Sequence, residues 1–193
     1  GHRLAFRLLV LATLLSACRP GGDTSQEPGS GARSEARGED LPGLRLTDAS
    51  GAVVEFPRLP TRILSLVPSG TEILHALGAR HLLVGRTDHD TARALASLPS
   101  VGGGIHPSLE RLVSLQPDLV ILFAGESDPT TPSRLRELGI PRFAIRPEGL
   151  AGIRESIRQL GFLAGREASA DSLVLVLDST LAEAHVSLGL IAS

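Results

Sequence analysis

Apolar and polar residues alternate along this chain in a few distinct spacings, and each spacing predicts a different element. Short, mainly apolar runs at residues 63–67, 82–85 and 119–123 have the length of strands buried on both faces of a parallel sheet. Two shorter runs, residues 44–47 and 52–56, flank Asp48-Ala49-Ser50-Gly51, a turn-rich tetrad that predicts a pair of short strands. Between the buried runs the apolar spacing changes to three and four. Pro68-Ser69-Gly70-Thr71-Glu72 opens a helix, with Ser69 and Glu72 spaced as a capping box, Ile73, Leu74 and Leu77 as its stripe and Gly78 as its end. Pro107 suits a first helical position, Leu109, Leu112 and Val113 share a face, and Gln116-Pro117-Asp118 is the stop. Thr131-Pro132 opens a short helix that ends at Gly139, and residues 142–145 form a further strand. Strands alternating with helices predict an α/β layer sandwich with a mainly parallel sheet.

The pattern then becomes purely helical. Residues 149–163 align Ile153, Ile157 and Leu160, and a longer helix over residues 167–188 aligns Leu173, Leu177, Leu181, Ala184 and Leu188. No strand pattern follows for this helix to cross to, so the expectation is that a further part of the fold belongs beyond it.

The first forty residues read differently. An apolar run, residues 8–17, follows Arg3 and Arg7 and closes on Leu15-Ser16-Ala17-Cys18. Basic flank, apolar centre and small residues make up the pattern of a secretory signal, and the run is shorter than the roughly 20 residues a bilayer span needs. Residues 18–40 are rich in Gly, Ser, Pro, Glu and Arg without apolar periodicity, which predicts a flexible linker. The boundaries expected are signal peptide 1–17, linker 18–40, an α/β unit 41–163 and a terminal helix 164–193. The first residue is Gly1 rather than Met, which leaves open that the natural start lies upstream.

Composition narrows the picture further. The absence of Trp and Tyr leaves the core to Leu, Ile, Val, Ala and five Phe. Cys18 is the sole cysteine, so no disulfide staples this chain. A net charge of −2 makes no case for a polyanion, and nucleic acid is not an expected partner.

The residues also carry a resemblance. Leu15-Ser16-Ala17-Cys18 resembles the lipobox of bacterial lipoproteins, in which the signal is cleaved before a cysteine whose sulfur takes a diacylglycerol; an ordinary signal with an incidental cysteine is the plainer alternative. The strand-turn-helix from Ile63 to Glu72 resembles the opening of substrate-binding proteins for vitamin B12, haem and ferric siderophores, and so does the run from Pro107 to Ile121. Val84-Gly85 and Val101-Gly102 fall between them at the spacing of that family. The resemblance covers residues 41–188. It implies a periplasmic binding protein, often lipid-anchored, that delivers a metal chelate to an ABC permease and its ATPase and has no chemistry or intrinsic cofactor of its own. It also implies two Rossmann-like lobes joined by one long helix, with the ligand in the cleft between them. Residues 167–188 match that helix, and the second lobe has no counterpart in this sequence.

Ligands of parallel α/β sheets lie at the carboxyl ends of the strands, which singles out four loops: residues 68–71, 87–90, 102–106 and 124–127. The ligand-binding candidates are Pro68, Ser69, Gly70, Thr71, Asp88, His89, Gly103, Gly104, His106 and Phe123. By the resemblance, His89 falls where B12 binders have a tyrosine, and Gly104 and Phe123 where they have tryptophans that pack on the flat ligand. Asp88-His89-Asp90 with His106 suit a metal in donor chemistry, and the two imidazoles suit the axial side of a chelated one. The plainer alternative is a solvated loop whose aspartates cap the next helix. Gly102-Gly103-Gly104 lacks the Lys-Ser/Thr of a P-loop and reads as a tight turn. His75 and His185 fall within helical patterns and read as structural. Glu110 matches the family glutamate that pairs with permease arginines, although a carboxylate in a first helical turn is also favoured by the helix dipole.

The leading expectation is an exported, lipid-anchored receptor, in the periplasm or at the cell surface, for a cobalamin-like corrinoid, with haem or a ferric siderophore as the alternative within the family. From another class, a metal-dependent hydrolase using Asp88, His89 and His106 has an incomplete ligand set, and no Gly-x-Ser-x-Gly or His-Glu-x-x-His motif is present. A receptor for free zinc or manganese would need more converging ligands than two histidines.

Overall fold

The computed structural model describes residues 43–125, 128–187 and 189. The expected signal, Cys18, the linker and Leu188 lie outside these residues, as do Glu126 and Ser127 of the last candidate loop.

Two strands, β1 (Leu44–Thr47) and β2 (Val53–Phe56), pair antiparallel with Arg45 opposite Glu55. Their turn is organised by Asp48, whose Oδ1 accepts from the Ser50 and Ala52 N–H groups at 2.9 and 3.0 Å, while Gly51 adopts a positive φ of 86°. The hairpin is fastened to the rest of the fold at both ends. Asp48 Oδ2 accepts from the Ala144 N–H at 3.1 Å, the Ala49 N–H donates to the Ala144 carbonyl at 2.9 Å, and Phe56 packs on Phe143 with ring centroids 6.3 Å apart.

The central sheet is parallel, as expected, in the order β3 (Ile63–Ser65), β4 (Leu119–Phe123), β5 (Arg142–Ile145). Alternate residues along it face opposite layers. Ile63, Leu119, Ile121, Phe143 and Ile145 share a core with helices α1 (Pro68–Ala76), α4 (Gly149–Leu163) and α5 (Glu167–Ser187). Leu64, Val120 and Leu122 instead meet Leu112 of α2 (Leu109–Ser114) and Leu135 of α3 (Thr130–Glu137). The result is a three-layer sandwich.

Local details depart from the sequence reading in three places. Residues 82–85 do not form a full strand: Arg80–Leu82 make a short 3₁₀ turn, and only Leu83 bridges to Ile63 on the free side of β3. Ser69 and Glu72 make no capping box, because the helix begins two residues earlier, with Val67 at its cap and Pro68 in the first turn. There the Ser65 hydroxyl holds the turn instead, donating to the Val67 carbonyl at 2.8 Å. Pro107 precedes α2 rather than opening it: Ser108 caps the helix, accepting from the Arg111 N–H at 3.4 Å.

Candidate functional site

The chain order around β3 decides where a ligand can sit. From β3 the chain moves to one side, to the bridge at Leu83, and then returns to β4 on the other side. Loops therefore diverge at the carboxyl ends of β3 and β4, leaving a crevice at the switch point. A depression of about 410 Å³ opens there, floored by Leu66, Val67, Leu122 and Phe123. Pro68, His89 and Gly104 complete the set of expected residues on its wall. Its surface is mainly apolar, and Phe123 remains 41% exposed at the end of β4, an aromatic face held open to solvent.

Each wall has a local cause. The Thr87 N–H and hydroxyl donate to Asp90 Oδ2 at 2.6 and 2.9 Å, and the His89 N–H donates to Thr87 Oγ1 at 3.2 Å. This knot is buried, and it presents His89 at the surface. The Asp88 N–H donates to the Gly102 carbonyl at 2.9 Å, and Ser100 Oγ donates to Asp88 Oδ1 at 2.5 Å, so the loop at 87–90 braces the loop at 102–106. Gly102 supplies the positive φ of 93° that turns this second loop. A Cβ on Gly104 would run into the Leu66 carbonyl oxygen, so only glycine lets the loop lie against the end of β3.

The depression brings together four of the ten expected ligand-binding residues: Pro68, His89, Gly104 and Phe123. The other six do not line it. Gly70 and Thr71 are buried in packing, since a Cβ at Gly70 would come within 2.9 Å of Ile145 Cδ1 and Ser65 Oγ. Ser69 belongs to the first turn of α1, Asp88 is part of the loop brace, and Gly103 faces open space. His106 is exposed, and its charge acts on Asp128 across the rim. Asp88 and Asp90 are thus loop braces rather than the helix caps of the plainer reading. Among the described residues no three His, Cys, Asp or Glu side chains converge on a metal position, so Asp88, His89 and His106 complete no ligand set there.

Asp128, Thr131, Pro132 and Ile105 also line the depression and were not singled out from sequence. Asp128 caps α3 from two residues upstream, its Oδ1 accepting from the Thr130 and Thr131 N–H groups at 2.8 and 3.2 Å. Burial pushes its carboxyl up, but the Thr131 hydroxyl, those two N–H groups and the His106 charge outweigh it and hold the group below the ordinary aspartate value. The available signal was an aspartate shortly before Thr-Thr-Pro, a helix-start pattern.

A family model described as periplasmic binding protein matches residues 63–189, which span the sheet, the crevice loops and the long helix. The chain belongs to the periplasmic binding protein family.

An uncharacterised ABC transporter substrate-binding lipoprotein of Bacillus subtilis, YvrC, is 30% identical over 177 residues, 90% of this chain and 54% of that one. A cobalamin-binding protein of Halobacterium salinarum is 32% identical over 174 residues, 88% of this chain and 47% of that one. Among solved structures, the haem binding protein HmuT superposes with a TM-score of 0.66 at 26% identity, over 78% of this chain and 50% of that one. This periplasmic binding protein chain therefore spans about half the length of the relatives it matches. Among its described residues no helix is long and apolar enough to cross a membrane.

Proposed function

We propose that this chain provides one lobe of an extracytoplasmic receptor that captures a cobalamin-like corrinoid or similar metal chelate and hands it to an ABC importer. The observation that carries this reading is the open apolar crevice at the switch point, lined by the exposed ring of Phe123 and by His89. A flat macrocycle buries its face on such a surface, and an imidazole at the rim suits the metal at its centre. In this reading Gly104 keeps the crevice open for a broad ligand, and His106 stands at its edge. The cobalamin-binding and haem-binding proteins that this chain resembles favour the same ligand class. The long helix α5 joins this lobe to a second one, and Cys18 carries the lipid that anchors the receptor outside the cytoplasm. Exposed Glu110, in the first turn of α2, is the contact for permease arginines. The receptor needs no catalytic group.

Haem is the second reading, favoured by the position of His89. Titration of the full-length protein with cyanocobalamin, haem and a ferric trihydroxamate, followed by visible absorbance and calorimetry, tests both. Saturable binding of one of them is expected, weakened about tenfold by Phe123→Ala, which removes the open aromatic face. Failure of all three to bind, or equal binding by the variant, would sink the assignment of this crevice.

A further inference from the structure

We infer that Asp128 sets the charge selectivity of the crevice, so that it admits cationic or uncharged chelates and turns away anionic ones. This rests on the receptor reading given above and names its substrate class more narrowly. The described residues that line the crevice include the carboxylate of Asp128 and no arginine or lysine. The two residues between Gly125 and Asp128 are Glu and Ser in the sequence, which adds no cation to that loop.

Three neighbouring arginines stand outside the crevice lining. Arg146 directs Nε and Nη2 at the Ala124 carbonyl, at 3.0 and 2.6 Å. Arg136 and Arg142 line an adjoining groove, which shares Leu122, Phe123, Gly125 and Pro132 with the crevice and also contains Glu55 and Asp48. The start of α3 would ordinarily attract an anion, because its first N–H groups point outward with the positive end of the helix dipole. Here the Thr130 and Thr131 N–H groups are already bonded to Asp128, so that end of the helix meets a ligand as a carboxylate. Among the described residues, the charge that acts on Asp128 with the opposite sign is that of His106. It is exposed and stands outside the lining.

The test uses the full-length protein at about pH 8, which takes ordinary imidazole charge out of the comparison. Affinities are measured for aquocobinamide and ferrioxamine B, both cationic, and for the trianionic ferric enterobactin. At least one cationic chelate is expected to bind about tenfold or more tighter than ferric enterobactin, with the gap shrinking as salt is raised. Asp128→Asn keeps an acceptor for the helix N–H groups and removes the charge, and Asp128→Ser does the same with a shorter side chain. Both should narrow the cation-to-anion ratio about tenfold while leaving the melting transition nearly in place. Ferric enterobactin binding as tightly as the cations, or an unchanged ratio in both variants, overturns the inference alone. Binding of none of the three overturns the inference, and the receptor reading falls with it only if cyanocobalamin and haem also fail to bind.

Discussion

Asp118 shows how much a single carboxylate does in this fold away from the crevice. Its Oδ2 accepts from the Thr61 N–H and hydroxyl at 2.9 and 2.8 Å, and its Oδ1 from the Arg62 N–H at 2.8 Å. Arg62 answers by donating Nε to the Gln116 carbonyl at 2.9 Å and Nη2 to that of Leu115 at 2.6 Å. The starts of β3 and β4 are thereby latched side by side. Burial raises the Asp118 carboxyl, but the Thr61 and Arg62 bonds and the Arg58 charge outweigh it and hold the group below 3.8, the ordinary aspartate value. A lowered folded value stabilises the fold above the unfolded value, and that contribution drains away as pH falls through the folded one. Asp118→Asn should therefore cost about 1 kcal/mol at neutral pH, since these bonds are partly exposed. The gap between variant and parent in thermal melts should close below about pH 4. An equal gap at pH 7 and pH 3 would refute the latch. From sequence, Pro117 and Asp118 were legible only as a helix stop, because the partners of Asp118 lie far away along the chain. The same limit hid the tie between Asp88 and the Gly102 loop.

Among the elements, α4 and α5 are the pair most sensitive to a small change. Gly161 of α4 lies so close to Ala170 of α5 that a Cβ on it would overlap the alanine methyl. The contact lets Leu160, Leu163 and Val174 share one core, and Arg154 Nε crosses to Asp178 Oδ1 at 2.7 Å on the outer side. Gly161→Val should force the helices apart and cost about 1–3 kcal/mol in chemical denaturation. Ala182→Val, on an exposed stretch of α5, should change stability by less than about 0.5 kcal/mol. Similar losses in both would mean that the glycine is not a packing device. Both helices were legible at nearly full length, because their apolar spacing persists for several turns. The run at residues 82–85 was overread as a strand. Four apolar residues cannot say how many of them find a partner, and here only Leu83 bridges to β3.

For the whole molecule, the layer order and the parallel sheet followed from the alternation of strands and helices, and the position of the crevice followed from the rule of carboxyl strand ends. Which residues line that crevice was only partly legible. Pro68, His89, Gly104 and Phe123 line it, and so do Asp128 and Thr131 at the start of α3, which read in sequence only as a helix start. The proposed docking of the receptor on its importer is tested at this scale. Glu110→Arg should reduce stimulation of the importer ATPase about tenfold and leave chelate affinity within about twofold. Full stimulation by the variant would remove Glu110 from the interface. The hairpin turn at Asp48 bears on a different collective property. Among the described residues β5 pairs as a strand on one side, with β4, and an unpaired strand flank invites another chain to add to the ladder. Asp48 and Ala49 occupy both the N–H and the carbonyl of Ala144 on that flank. A second copy thus meets a blocked ladder at Ala144, and resistance to aggregation rests there on one turn of the amino-terminal hairpin.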